Sequence, residues 1–268
     1  MKIAFCLYGG VGQTSTRSKN FDSEYIDPEI CYNQYRHFGL LTEDCDVYLH
    51  TWDSPYNQKV VDLYQPKKHL IETTPKLSVT DRYYGTHCRF YSQKKVIDLI
   101  SEDYDMVFLT RFDLAWHVPL DISSYDPDYF YLQHSNWLDK NMGKEKADNW
   151  NRYHACDWWF MSNLETMKKF VENYLYINTH LQSIQFTPSE WLKNGNQHLK
   201  SPQHYVARRF LDKVNIPLRY ILNRDEDHTL IRNVLIGEDP QTKKNIWVKR
   251  DGIYHINYTV VNKVYRRL

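Results

Sequence analysis

The stretch Tyr104–Trp116, YDMVFLTRFDLAW, carries the most apolar strand in the chain and decides how the rest is read. A run such as MVFLT shows no polar alternation, which marks a strand covered on both faces, as in a parallel sheet flanked by helices. Working outward, KIAFCLY (2–8) and DVYLHTW (46–52) have the same character, KHLIET (68–73) is a shorter relative, and DYFYLQ (128–133) and DWWFMS (157–162) follow. Helical signals fall between them. Asp27-Pro28 offers an N-cap with Pro at the first helical position, and Ile30, Cys31, Gln34, Tyr35 and Phe38 then share one face. A helix is expected over 87–102. The pattern Ser162-x-x-Glu165 reads as a capping box ahead of the stripe Leu164, Met167, Phe170, Val171 and Tyr174. Ser201-Pro202 opens a further helix with Val206, Phe210 and Leu211 inward. IWVKRDGIYHINY (246–258) reads as a hairpin turned at Asp251-Gly252. Strands alternating with helices predict the α/β class: a Rossmann-like, mostly parallel sheet with flanking helices and a less regular C-terminal third. One domain over 1–268 is expected, with a polar, charged loop at 139–152.

Composition narrows the function. With 34 Lys+Arg against 33 Asp+Glu the formal net charge is +1, and no basic stripe is present, so no nucleic-acid partner is expected. A mean hydropathy of -0.68 describes a soluble chain, and its 22 Tyr and 8 Trp suit the flat faces on which sugars are held. Five cysteines, widely spaced and without a C-x-x-C, suggest reduced, buried thiols. The apolar run at the N-terminus is short for a signal peptide and no run of 18 apolar residues occurs. A cytoplasmic location without a transmembrane segment is expected.

Chemistry in open α/β sheets gathers beyond the carboxyl ends of the strands. The first strand ends in Tyr8-Gly9-Gly10 and continues as VGQTST, an imitation of a phosphate-binding loop. The imitation fails on charge: Gln13 stands where the phosphate-binding Lys belongs, and Tyr8 where the variant motif has its second Lys. What survives is a glycine turn whose backbone amides can approach an anion closely. The second strand ends in His50-Thr51-Trp52-Asp53. The fourth ends in Arg111-Phe112-Asp113, two charges on one side of a buried strand. They are costly there unless they pair with each other or meet a ligand.

Taken in order, KIAFCLYGG, DVYLHTWD, RFYSQKKVIDLI, YDMVFLTRFDL and DWWFMSN resemble the small GT-A-type glycosyltransferases of bacterial polysaccharide clusters and large DNA viruses, over roughly residues 1–175. The resemblance implies a nucleoside-diphosphate-sugar donor bound by about residues 1–135, and a glycan acceptor bound by about 136–268. Tyr8, Gly9 and Gly10 would border the nucleotide, and Thr51, Trp52 and Asp53 would contact base and ribose. Arg89, Ser92 and Gln93 share a helical face directed at the donor, and Arg17 would reach its phosphates. Many such enzymes carry a DxD element that binds Mn²⁺ or Mg²⁺. Here Arg111 replaces its first acid, which suits direct contact with the diphosphate and leaves Asp113, with a late His255, as candidate metal ligands. Metal dependence is therefore in question. Asp157, flanked by Trp158 and Trp159, resembles the general base of an inverting transferase, the aromatic neighbours strengthening it as a base. A non-catalytic nucleotide- or carbohydrate-binding protein of the same fold is the alternative, with Arg111 as its main support.

Overall fold

Among the described residues seven strands form one sheet, in the order β3-β2-β1-β4-β7-β6-β8, six of them from the apolar runs named above. The computed structural model describes residues 1–11, 26–74, 81–134, 155–175, 177, 202–223, 228–230, 247–250 and 253–256. The strands are β1 (Ile3–Gly9), β2 (Cys45–Trp52), β3 (Lys68–Glu72), β4 (Met106–Arg111), β6 (Phe130–His134), β7 (Trp159–Ser162) and β8 (Leu218–Asn223). Strands β3, β2, β1 and β4 are parallel; β7 runs against both β4 and β6, and β8 runs with β6. Only β7 is reversed, so the sheet is mostly parallel, as the apolar runs predict.

The sheet is covered on both faces because its strands alternate between two cores. Phe5, Leu7, Val47, Leu49, Met106 and Phe108 face α1 (Pro28–His37), α2 (Asn57–Tyr64) and the short strand β5 (Leu114–Trp116). Ala4, Cys6, Tyr8, Tyr48, Val107 and Leu109 face α3 (Asp81–Asp98), α4 (Leu164–Val171) and α5 (Pro202–Lys213). A 3₁₀ turn at Ile122–Ser124 precedes β6; β9 (His228–Leu230) pairs with β5, and β10 (Trp247–Arg250) with β11 (Ile253–Ile256). The expected hairpin is therefore present. Its turn residues, like the 139–152 segment, lie outside the described residues.

Local signals hold at α1, where Asp27 accepts from Glu29 N at 3.0 Å with Pro28 in the first turn. They need correction elsewhere. The cap of α4 is Asn163, whose Oδ1 accepts from Thr166 N at 2.8 Å. Ser162 is still in β7 and donates instead to the Tyr129 carbonyl at 3.1 Å, so the capping-box reading is one residue early. Helix α3 begins at Asp81 rather than at 87. Strand β7 begins at Trp159, which leaves Asp157 just ahead of it.

The order 3-2-1-4 places a topological switch between β1 and β4, where Tyr8 lies opposite Arg111. This is where an open sheet of this kind forms a crevice. Because β7 is reversed and Thr110 pairs with Trp159, the residues that enter β7 arrive at the carboxyl end of β4.

Candidate functional site

Two arginines meet at that crevice, each held by a carboxylate. Arg111, the last residue of β4, donates from Nε and Nη2 to the two oxygens of Asp113, both at 2.7 Å. Tyr35 braces the turn from the other face by donating to the Arg111 carbonyl. Arg89, on α3, forms an ion pair with Asp157 Oδ2, while Asp157 Oδ1 lies 2.7 Å from His204 Nε2. The acid side chains are 3% exposed, whereas Arg89 keeps 21% and Arg111 17%, so the cations are the members that reach solvent.

The charges act on one another. Burial, then the Arg111 charge, pushes the Arg89 guanidinium down to about 10, still protonated at neutral pH. Burial works against the charge on Arg111 as well, but Asp113 outweighs it and the net direction is up. Tyr8 lies between them, its hydroxyl pushed up by burial and pulled back by Arg111 and Arg89. That hydroxyl donates to the Asp157 carbonyl at 2.5 Å, tying β1 to the entry of β7. Two carboxylates thus fix two guanidiniums in a low-dielectric setting, an arrangement suited to a doubly charged anion such as a diphosphate.

Beside this pair runs a second chain of hydrogen bonds. Gly9 N donates to Ser92 Oγ at 2.7 Å, Ser92 Oγ lies 2.6 Å from His50 Nδ1, and His50 Nε2 lies 2.8 Å from Glu72 Oε2. Burial holds His50 below the usual imidazole range, against the pull of Glu72. A neutral ring that accepts from Ser92 and donates to Glu72 satisfies every member. Gly9 has φ +93, a conformation that only glycine takes without strain. Trp52 stacks on Tyr91 of α3 with centroids 5.8 Å apart, and Tyr91 donates to Glu72.

The structure therefore brings Tyr8, Arg89, Arg111, Asp113 and Asp157 into one cluster, with Gly9, Ser92 and Trp52 adjoining. Gln93 is buried near Tyr8. Thr51 is apart, on the strand face of Val47 and Leu49. Asp53 is exposed and accepts from Asn57 Nδ2 at 2.6 Å, at the start of α2. Gly10 is exposed past the end of β1. Arg17 lies outside the described residues. The backbone of His255 pairs with Val248 in the hairpin, but its side chain lies outside them too. Both oxygens of Asp113 hold Arg111, so a cation there would have to displace a bidentate pair.

Trp159 faces the opposite core and Trp158 packs there as well, so Asp157 is surrounded by Arg89 and His204 rather than by indole rings. Sequence reasoning passed over His204, Glu72 and Tyr91, and left His50 undecided. Glu72 was within reach, because it ends β3 as His50 and Trp52 end β2. His204 carries no local signal; it lies in the first turn of α5, 47 residues from Asp157. Among the described residues no helix is long and apolar enough to cross a membrane.

No protein-family model and no curated protein matches the sequence. Among solved structures, mouse xyloside xylosyltransferase 1 (apo form) aligns with a TM-score of 0.40 at 9% identity, covering 81% of this chain and 84% of that one. A protein assigned as a nucleotide-diphospho-sugar transferase from Desulfovibrio desulfuricans G20 aligns at 0.39 and 9%, covering 99% and 96%. The 4-diphosphocytidyl-2C-methyl-D-erythritol synthase of Anaerococcus prevotii aligns at 0.43 and 7%, covering 82% and 86%. Scores of this size decide nothing about activity, and the functional reading rests on the site.

Proposed function

We propose that the chain binds a nucleoside-diphosphate sugar at the β1–β4 switch and transfers the sugar to a carbohydrate hydroxyl. The observation that carries this reading is the pair of partly exposed guanidiniums, Arg89 and Arg111, fixed by buried acids at the carboxyl ends of the central strands. Asp113 engages Nε and Nη2 of Arg111, and the planar fork has further N–H donors to offer a phosphate oxygen. Charge stabilisation of the departing diphosphate is the main catalytic demand of such a transfer.

Asp157 is the candidate base. Arg89 links it to the donor: a diphosphate that draws the guanidinium away releases Asp157 Oδ2 for the acceptor hydroxyl, while His204 keeps Oδ1 oriented. Deprotonated by the carboxylate, the hydroxyl attacks the anomeric carbon from the face opposite the diphosphate, which inverts the configuration.

The second reading is a binding protein without catalysis. The engagement of both Asp157 oxygens favours it, since a carboxylate that stays paired takes no proton. Asp157→Asn separates the two. General-base assistance is worth roughly 10² to 10⁴ in rate, so transfer should fall by about that factor while donor affinity stays within a few-fold. Transfer unchanged in the variant refutes the role of Asp157. A wild-type chain that binds nucleotide-sugars and turns none over, with a panel of glycan acceptors, establishes the binding protein.

A further inference from the structure

We propose that Cys156, Asp157 and His204 form a zinc site, and that the bound ion withdraws Asp157 from the site described above. One donor atom from each residue lies within 4.8 Å of the others, and all three residues are buried, at 0%, 2% and 7% exposure. Thiolate, carboxylate and imidazole are all zinc ligands, and three protein donors with one open position make a four-coordinate site. A single hard oxygen donor among them argues against Mg²⁺ or Mn²⁺.

The backbone that carries these donors is braced. Ala155 N donates to the His204 carbonyl at 2.9 Å, joining the approach to β7 to the first turn of α5. Tyr8 holds the Asp157 carbonyl. Arg89 supplies the outer shell: it contacts the second oxygen of Asp157, and its charge also interacts with Cys156. A carboxylate that bridges a metal and an outer cation is fixed in orientation, as metal-binding carboxylates usually are. The Arg89 side chain, 21% exposed, marks the way in.

The charges balance. A thiolate and a carboxylate offset the two charges of Zn²⁺, and the imidazole stays neutral. On binding, the Cys156 thiol gives its proton to water, and the Asp157–His204 hydrogen bond is exchanged for two metal bonds. His204 stays neutral by exchanging tautomers: Nε2, which faces Asp157, gives up its proton and Nδ1 takes one from water. One proton is released per ion bound. The ion then occupies the carboxylate, so zinc inhibits transfer. That consequence rests on the proposed reaction, whereas the site itself does not.

The test is a Co²⁺ titration of the full chain, read by the near-ultraviolet thiolate-to-cobalt absorption and reversed by Zn²⁺. The band should appear in the wild type and in Cys45→Ser, a half-buried thiol elsewhere, and vanish in Cys156→Ser. His204→Gln should weaken cobalt binding by more than the roughly 10–100-fold that loss of an outer-shell partner costs. Absence of the band, or a band that survives in Cys156→Ser, overturns the site. Zinc should slow transfer by the wild type and leave the rate of Cys156→Ser unchanged; equal inhibition of both overturns the inhibitory role. A cobalt band in a chain that transfers no sugar would strike the reaction and leave the site standing.

Discussion

Arg111→Met keeps most of the side-chain volume and removes the charge, leaving Asp113 buried without its bidentate partner. Removing one partner of a buried ion pair costs about 3–5 kcal/mol, because the remaining charge is uncompensated. Arg111 retains 17% exposure against 3% for Asp113, so water screens the pair on one side and the lower end applies, about 3 kcal/mol. For a chain of this size each kcal/mol moves Tm by about 2–4 °C, which gives a fall of about 6–12 °C. The double variant Arg111→Met/Asp113→Leu removes both charges and should recover most of that fall, since apolar replacement of a whole buried pair is often neutral. The double variant should still fail to bind a nucleoside-diphosphate sugar. The assays are thermal melting of the three proteins, then the Tm shift that each shows with added UDP-, GDP- and CMP-sugars. If the single variant melts with the wild type, the pair is not desolvated as described. If the double variant regains ligand-induced stabilisation together with stability, Arg111 is a structural partner of Asp113 and nothing more.

Two further outcomes follow from the geometry. The imidazole of His50 is held below its ordinary value of 6.5, so protons bind the unfolded chain more readily, and the stability it supports is lost as pH falls below about 6.5. The slope is at most about 1.4 kcal/mol per pH unit for one group, and His50→Gln should reduce it in urea unfolding between about pH 7.5 and about pH 5.5. His87, also lowered by burial, keeps its share, so a slope unchanged by the substitution would remove His50 as a source. Asn163→Ala should cost about 0.5–2 kcal/mol through loss of the α4 cap, and more than Ser162→Ala as a fraction of helix stability in hydrogen exchange around α4. A larger effect at Ser162 would restore the capping box to the earlier residue.

The architecture was legible because burial leaves its pattern in single strands. KIAFCLY and YDMVFLT read as two-faced strands, and the structure seats them side by side at the centre of the sheet. The Arg111–Asp113 pair was legible for the same reason: charges two residues apart at the end of a buried strand must meet something. Its partner was left open between ligand and internal pair, and the structure shows the internal pair with the cation turned outward. The neighbours of Asp157 were not legible. Flanking tryptophans suggested an apolar pocket, but β7 begins only at Trp159, so Asp157 and Trp158 lie ahead of its alternation, and both indoles belong to the far core. Arg89 and His204 reach Asp157 from α3 and α5, and no local spacing records a contact across that sequence distance. Asn163 displaced Ser162 as cap because β7 runs one residue further than its apolar pattern.

The relay from Gly9 through Ser92 and His50 to Glu72 joins β1, α3, β2 and β3, so an edge strand is wired to the middle of the sheet. Edge strands usually peel away at small free-energy cost, independently of the centre. Here release of β3 would withdraw Glu72 from His50, loosen Ser92 and free the Gly9 amide at the heart of the crevice. The glycine turn therefore has no private flexibility: its opening is an event of four elements at once. Recombination or permutation that separates β3 from β1 would damage the turn even where every residue of the turn is kept.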